Sequence, residues 1–240
     1  MTRGEMVHNG EFERGTEAPE GWTRPDNLTV YWETGGVSGK CIHMDTDVYR
    51  SEWEEHRKHP DKPMKKTPTT GTRYNTVGGT TGVAVYSHPI PVQLDAWYRV
   101  QYDVKGPGGE PFVYMKGYWK CAEEHLRHFG EKAFFKPVPG GPSFSLMVMG
   151  TSGEEKRMPR AGDYIQSFRR RFVARFPQGE AGTWRRFTGV VHLEPKHRAE
   201  VILLELYAFW PPGDYYFDNV RLQRITEEEA QAFQQKREAL

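Results

Sequence analysis

Two stretches of the chain repeat one small pattern, Glu54-Glu55-His56-Arg57-Lys58-His59 and Glu123-Glu124-His125-Leu126-Arg127-His128. On a helical turn, histidines three apart are neighbours, and with a nearby carboxylate they are suited to sharing a metal ion. The order of residues is not the H-E-x-x-H of metalloproteases. Both stretches are also dense in opposite charges, so exposed helical turns account for them without a metal. A second chemistry needs two carboxylates held about 5 to 10 Å apart across a glycosidic bond. Glu205 is one candidate, with Glu194 or Asp103 as partner, although spacing along the chain fixes no such distance. A lyase would need a Tyr, His or Arg base and neutraliser, and those residues are plentiful without being patterned. No G-x-S-x-G, P-loop or dinucleotide fingerprint occurs, which leaves esterase, NTPase and dehydrogenase readings without support.

The elements that must position these residues read as strands. Short runs rich in Val, Tyr, Phe and Thr recur between Gly and Pro clusters, and several alternate in and out. In 166–176, Phe168, Phe172 and Phe176 share a face with Ala174, whereas Arg169, Arg171 and Arg175 lie opposite. Tyr98, Val100, Tyr102 and Val104 alternate in the same way with Arg99, Gln101, Asp103 and Lys105. Further strands are expected at 5–13, 28–34, 40–46, 82–90, 111–119, 143–149, 183–193, 199–209 and 215–223. That number fits an all-β, two-sheet sandwich or jelly roll, and no helices alternate with the strands as a parallel α/β fold requires.

At 240 residues this is one domain, 1–224, with two long loop insertions at 45–80 and 120–142 that are charged and rich in Pro and Gly. Residues 225–240 follow as a helix, because Thr226 and Glu229 make a capping-box pattern. That tail is either a packed terminal helix or the start of a linker to a further domain of a longer protein. The 33 basic and 32 acidic residues give no global charge excess, so neither nucleic acid nor membrane is expected as a partner. Cys41 and Cys121, the two cysteines, form no C-x-x-C pair; they make one disulfide or remain unpaired. No run of 18 apolar residues exists, and Met1 to Gly4 leads into a strand-like segment without the apolar stretch of a signal peptide.

The opening Asn9-Gly10-Glu11-Phe12-Glu13, then Gly21-Trp22 and Ser38-Gly39-Lys40-Cys41-Ile42, resembles the start of carbohydrate-binding modules of families 4 and 9. Gly182-Thr183-Trp184-Arg185-Arg186-Phe187 resembles a later strand of those modules, and Gly213-Asp214-Tyr215-Tyr216-Phe217-Asp218-Asn219-Val220-Arg221-Leu222 resembles their closing strand. The motifs bracket nearly the whole chain in order, while the middle third departs at the two insertions. The resemblance implies a jelly roll with a structural calcium where the first and last strands meet. Its ligands would be the Glu13 and Asp218 carboxylates and the carbonyls of Glu11 and Cys41, oxygen donors that suit calcium. Ser38 stands where a carboxylate often sits, which would weaken that affinity. Secretion or a cell-surface location is also implied.

The resemblance further implies non-catalytic binding of a poly- or oligosaccharide. A glycan offers hydroxyls and flat C–H faces, which call for aromatic platforms and a few planar hydrogen-bonding groups. On 199–209, Ile202, Leu204, Leu206 and Ala208 form an apolar face, leaving Glu205 and Tyr207 opposite, near where the family places polar ligand contacts. Segment 112–119 adds Tyr114, Lys116 and Tyr118 on one face, with Trp119 at its end and opposite. Arg169 and Arg171 are expected to lie near Arg186 of the strand next in sequence, so that guanidinium forks face uronate or sulfate groups of an acidic glycan. A solvated charged face and packed aromatic side chains explain the same residues without a ligand. The alternatives to glycan binding are a polysaccharide-active hydrolase or lyase, a metal-dependent enzyme built on the histidine loops, and a structural module of a surface protein.

Overall fold

The computed structural model describes residues 4–60, 62, 64–71, 73–123, 147–150, 153–156, 160–176 and 181–238. They build a β-sandwich of two antiparallel sheets. The first sheet holds β1 (Val30–Thr34), β2 (Lys40–Asp45), β12 (Asp214–Ile225), β5 (Ala96–Lys105) and β10 (Arg185–Leu193), adjacent in that order. The second runs β3 (Val83–Tyr86), β11 (Val201–Ala208), β6 (Phe112–Lys120), β9 (Tyr164–Val173), β7 (Met147–Gly150) and β8 (Gly153–Lys156), with β4 (Ile90–Pro91) also pairing β11. The chain crosses between sheets repeatedly, including β5 to β6 and β9 through β12, so most neighbours within a sheet are distant in sequence, as in jelly rolls.

Alternation decides which faces meet. Tyr98, Val100, Tyr102 and Val104 of β5 are buried, as are Ile42 and Met44 of β2 and Phe217 and Leu222 of β12. Against them stand Val113 and Met115 of β6, Ile202, Leu204, Leu206 and Ala208 of β11, and Phe168 and Phe172 of β9, in one continuous core. Removing these side chains from water is the main stabilising contribution, at roughly 25 cal/mol for each Å² of apolar surface. The Tyr102 hydroxyl donates to the Phe172 carbonyl at 2.7 Å and ties one sheet to the other.

Two expectations change. Segment 5–13 is not a strand: beyond a single bridge between Glu5 and Gln223, it is a turn in which Asn9 and Phe12 have positive φ. The Asn9 side chain supplies the missing hydrogen bonds, donating to the carbonyls of Arg14 and Glu20 and accepting from the Arg14 amide, while Phe12 is fully buried. The stretch 45–80 is not a plain loop, because it carries helices α1 (Arg50–Lys58) and α2 (Val77–Thr80) and a 3-10 turn at Arg73–Asn75. Of the second insertion, only 120–123 fall among the described residues, so 124–142 lie outside them, as do 143–146 of the strand expected at 143–149.

The C-terminal helix α3 (Glu227–Glu238) forms with the expected box: the Thr226 amide donates to Glu229 Oε2 at 2.9 Å, and the Glu229 amide to Thr226 Oγ1 at 3.2 Å. Ala230 is its buried residue, and the helix packs on β5 and β10. Cys41, on β2, and Cys121, just after β6 in the other sheet, are both buried and free.

Candidate functional site

The face of the second sheet turned away from the core gathers most of the expected residues. Register sets them in rows across β3, β11, β6 and β9. Tyr86 pairs Glu205, Glu205 pairs Tyr114, and Tyr114 pairs Arg171. Leu203, Lys116 and Arg169 form the next row, and Ala84, Tyr207 and Phe112 the one on the other side. Lys116 Nζ lies 2.7 Å from Glu205 Oε2, and the Tyr86 hydroxyl donates to Glu205 Oε1 at 3.0 Å. The ammonium also sits 5.3 Å from the Tyr114 ring centroid and 5.7 Å from that of Tyr86. Tyr207 stacks on Phe112, and its hydroxyl donates to the Thr81 carbonyl at 2.6 Å. Burial, and then the neighbouring Glu205, push the Tyr207 phenol above its ordinary pKa, so it stays neutral.

Beside this face opens a cleft of about 630 Å³, a size within the range of small-molecule sites. Its floor is β3 with Glu205 and Tyr207, and its walls come from Thr23, Arg24, Asp26, Trp53 and Arg57. One wall is α1, whose four-residue spacing puts Trp53 and Arg57 side by side, with the guanidinium 4.8 Å from the indole centroid. The same helix buries His56, and its ring nitrogen Nε2 lies 2.8 Å from the Asp26 carbonyl. The other wall is a turn organised by Asp26, whose Oδ1 accepts from the amides of Leu28, Thr29 and Val30 while Oδ2 accepts from the Thr29 hydroxyl.

Tyr114, Glu205, Tyr207, Arg169 and Arg171 therefore share one surface. Tyr118 points the same way but is fully buried, which removes it as a contact. Trp119 is half-buried at the far end of β6, paired with Ile165, and does not line the cleft. Arg186 is not beside Arg169 and Arg171: β10 belongs to the first sheet, where Arg186 forms two hydrogen bonds with Asp103, at 2.8 and 2.7 Å. Consecutive strands alternate between the sheets here, so nearness in sequence was a poor guide to nearness in space. Arg175 lies past the end of β9 and pairs with Glu110 at 3.2 Å. Trp53, Tyr86, Arg24 and Arg57 were not anticipated. The signal available for Trp53 was a lone tryptophan in a run of charges, four residues ahead of an arginine.

The carboxylate pairs proposed for hydrolysis do not form. Asp103 lies on the first sheet in its pair with Arg186, and Glu194 follows β10 and pairs with Lys196 at 2.8 Å. The histidine reading fares no better in its first segment, since His56 is buried against Asp26 and His59 lies 3.4 Å from Glu55. The second segment from Glu124 lies outside the described residues. Among the described residues no group of three or more His, Cys, Asp and Glu side chains is arranged to hold a metal.

Two of the residues suggested for calcium, Glu13 and Asp218, meet the turn between β1 and β2. Glu13 Oε1 accepts from the Lys40 amide at 3.1 Å, and Asp218 Oδ2 accepts from the Val37 amide at 2.7 Å. Asp218 also receives the Ser38 amide, and burial, reinforced by nearby Asp103, raises its pKa to about 6. Burial and then the charges of Asp218 and Glu33 lift the Cys41 thiol to about 12. The Glu13 and Asp218 carboxylates are thus oxygen donors, the kind calcium takes, each here accepting from a backbone amide of the turn. Glu11 sits exposed in the adjoining turn.

No protein-family model matches the chain, and no curated protein matches it. Solved structures of similar outline include the CBM22-1–GH10 modules of the Clostridium thermocellum xylanase 10B in complex with xylohexaose. That likeness has 14% identity and a TM-score of 0.41, covering 93% of this chain and 29% of that one. A family 16 carbohydrate-binding module is 13% identical with a TM-score of 0.42, covering 90% of this chain and 98% of its own. For a putative sugar-binding protein of Bacteroides thetaiotaomicron the values are 12%, 0.43, 92% and 100%.

Proposed function

We propose that this chain binds a poly- or oligosaccharide in the cleft between α1 and β3, without cleaving it. The observation that carries the reading is the juxtaposition of Trp53, Tyr86 and Tyr207 with one planar acceptor, Glu205, held in place by Lys116 and Tyr86. Aromatic faces match the C–H faces of a pyranose, and a fixed carboxylate accepts from its hydroxyls. Both carboxylates of the cleft, Asp26 and Glu205, are engaged in structural hydrogen bonds or an ion pair, which leaves neither as a free partner for acid and base catalysis.

A calcium ion on Glu13 and Asp218, with the carbonyls of Glu11 and Cys41, belongs to the same proposal. It would fasten the turn before β2 to β12. Export or display on a cell surface, and attachment to further domains, complete the reading.

The test is affinity electrophoresis in gels containing neutral and acidic polysaccharides, with calcium or chelator, while released reducing ends and unsaturated products are assayed. Retardation of the parent, lost in Trp53→Ala and Tyr207→Ala variants that keep the parent's circular dichroism, is the expected result. Product release would make the chain an enzyme, and absence of retardation by every glycan would remove the reading.

A further inference from the structure

Several arginines of this protein have acidic partners: Arg24 pairs with Glu17, Arg50 with Glu54, Arg73 with Asp47, Arg175 with Glu110 and Arg186 with Asp103. Arg169 and Arg171 differ. Both are exposed, both stand on the outward face of β9, and neither has a carboxylate partner among the described residues. Each instead lies over an aromatic ring of β6, Arg169 at 3.8 Å from the Tyr114 centroid and Arg171 at 5.3 Å from the Phe112 centroid. Stacking of that kind restricts a guanidinium while leaving its N–H edge free to donate.

Their position relative to the cleft is set by register. Tyr86, Glu205, Tyr114 and Arg171 form a single row across four strands. Neighbouring strands are about 4.8 Å apart, which places the Arg171 backbone about 10 Å from that of Glu205. A sugar chain seated beside Glu205 and running along this row meets the arginines within the span of a disaccharide. Two adjacent guanidinium forks with no carboxylate partner among the described residues are matched by a planar or tetrahedral oxyanion.

Resting on the glycan-binding reading, we infer that the site takes an acidic glycan, with Arg169 and Arg171 forming a subsite for the carboxylate or sulfate of a sugar next to the one in the cleft. The cleft supplies stacking and recognition of hydroxyls, and the arginine pair supplies the preference for charge. Lys116 does not share that role, because Glu205 already neutralises it in a buried pair.

The experiment uses matched glycan pairs that differ in charge: polygalacturonate against its methyl ester, and carboxymethyl- against hydroxyethyl-cellulose. Single-stranded DNA serves as a polyanion without sugar acid groups. The parent should bind the charged member of at least one pair roughly tenfold or more tightly, and this preference should fade as sodium chloride is raised. An Arg169→Gln/Arg171→Gln double variant should lose the preference while binding the uncharged member as the parent does. Equal binding of charged and uncharged members by the parent, or a preference that survives in the double variant, overturns the subsite and leaves the cleft reading standing. Loss of every glycan interaction in the parent overturns both. DNA bound as tightly as the acidic glycan, and released by the same double variant, replaces the sugar acid with a general polyanion.

Discussion

Lys116 Nζ and Glu205 Oε2 are 2.7 Å apart, on neighbouring strands, in a pair whose side chains are only 3% and 6% exposed. Breaking such a pair by removing one partner strands a charge and typically costs about 3 to 5 kcal/mol. Lys116→Met should therefore lower the urea midpoint substantially. Lys116→Met combined with Glu205→Leu should recover much of that loss and still fail to bind sugar. Equal stability of the single variant and the parent in urea titrations would show that the pair is not what orders this face.

Gly82 has φ +72°, and a Cβ added there would come within 2.3 Å of the Tyr207 ring and hydroxyl. Gly82→Ala must displace that ring, breaking its bond to the Thr81 carbonyl, and must also hold an alanine in a conformation that costs about 1 to 2 kcal/mol. The half-buried Tyr207 has room to move outward, so the fold should survive. Glycan affinity is expected to fall roughly tenfold or more, measured by calorimetry against the ligand found by electrophoresis.

Asp218 carries a pH signature. Its folded pKa is raised to about 6 from an ordinary 3.8, so between these values the native state binds more protons than the unfolded chain. The sign follows: this residue's contribution makes the fold less stable as pH rises from about 4 to 6, and is constant outside that window. With calcium chelated, the difference in unfolding free energy between the parent and Asp218→Asn should change across that window and level off on either side. A difference that is flat from pH 4 to 7 would contradict the burial of this carboxyl.

Thiol chemistry offers a separate check. Burial, and then Asp218, Glu33 and Glu13, push the Cys41 thiol to about 12, and burial also raises Cys121. Because the thiolate is the reactive species, neither cysteine should react with a disulfide reagent at pH 8 in the native protein, and both should react in guanidinium. Mass spectrometry of the quenched mixture reads this directly. Prompt native labelling of Cys41 would mean that the β1–β2 turn opens readily.

Period-two alternation made the strands legible, and with it the outward grouping of Tyr114, Glu205 and Tyr207 against the inward Ile202, Leu204 and Leu206. It carries no information about which strands pair, so it does not reveal that Arg186 lies across the sandwich on Asp103 and away from Arg169 and Arg171. Tyr118 alternates with the outward residues, yet it sits where the pairing of β6 with β9 shifts register and is fully covered. The turn at Asn9 to Phe12 mimics a strand in composition because its positive-φ residues are not glycines. Trp53 and Tyr86 are not legible as neighbours in the sequence because the cleft joins a helix to a sheet edge, a relationship that no local pattern encodes.

The wall of the cleft at residues 22–24 has another duty. The Thr23 amide donates to the Tyr86 carbonyl at 2.8 Å, the Tyr86 amide donates to the Thr23 hydroxyl at 3.0 Å, and Trp22 bridges to Ser87. These contacts occupy the outer edge of β3, which would otherwise offer unpaired amides and carbonyls to any passing strand. Recognition and protection from aggregation are thus joined in one segment. Attempts to broaden the cleft by trimming this wall would uncover a sticky sheet margin, whereas α1 can be altered without exposing one. Engineering of ligand range should therefore begin on the helix.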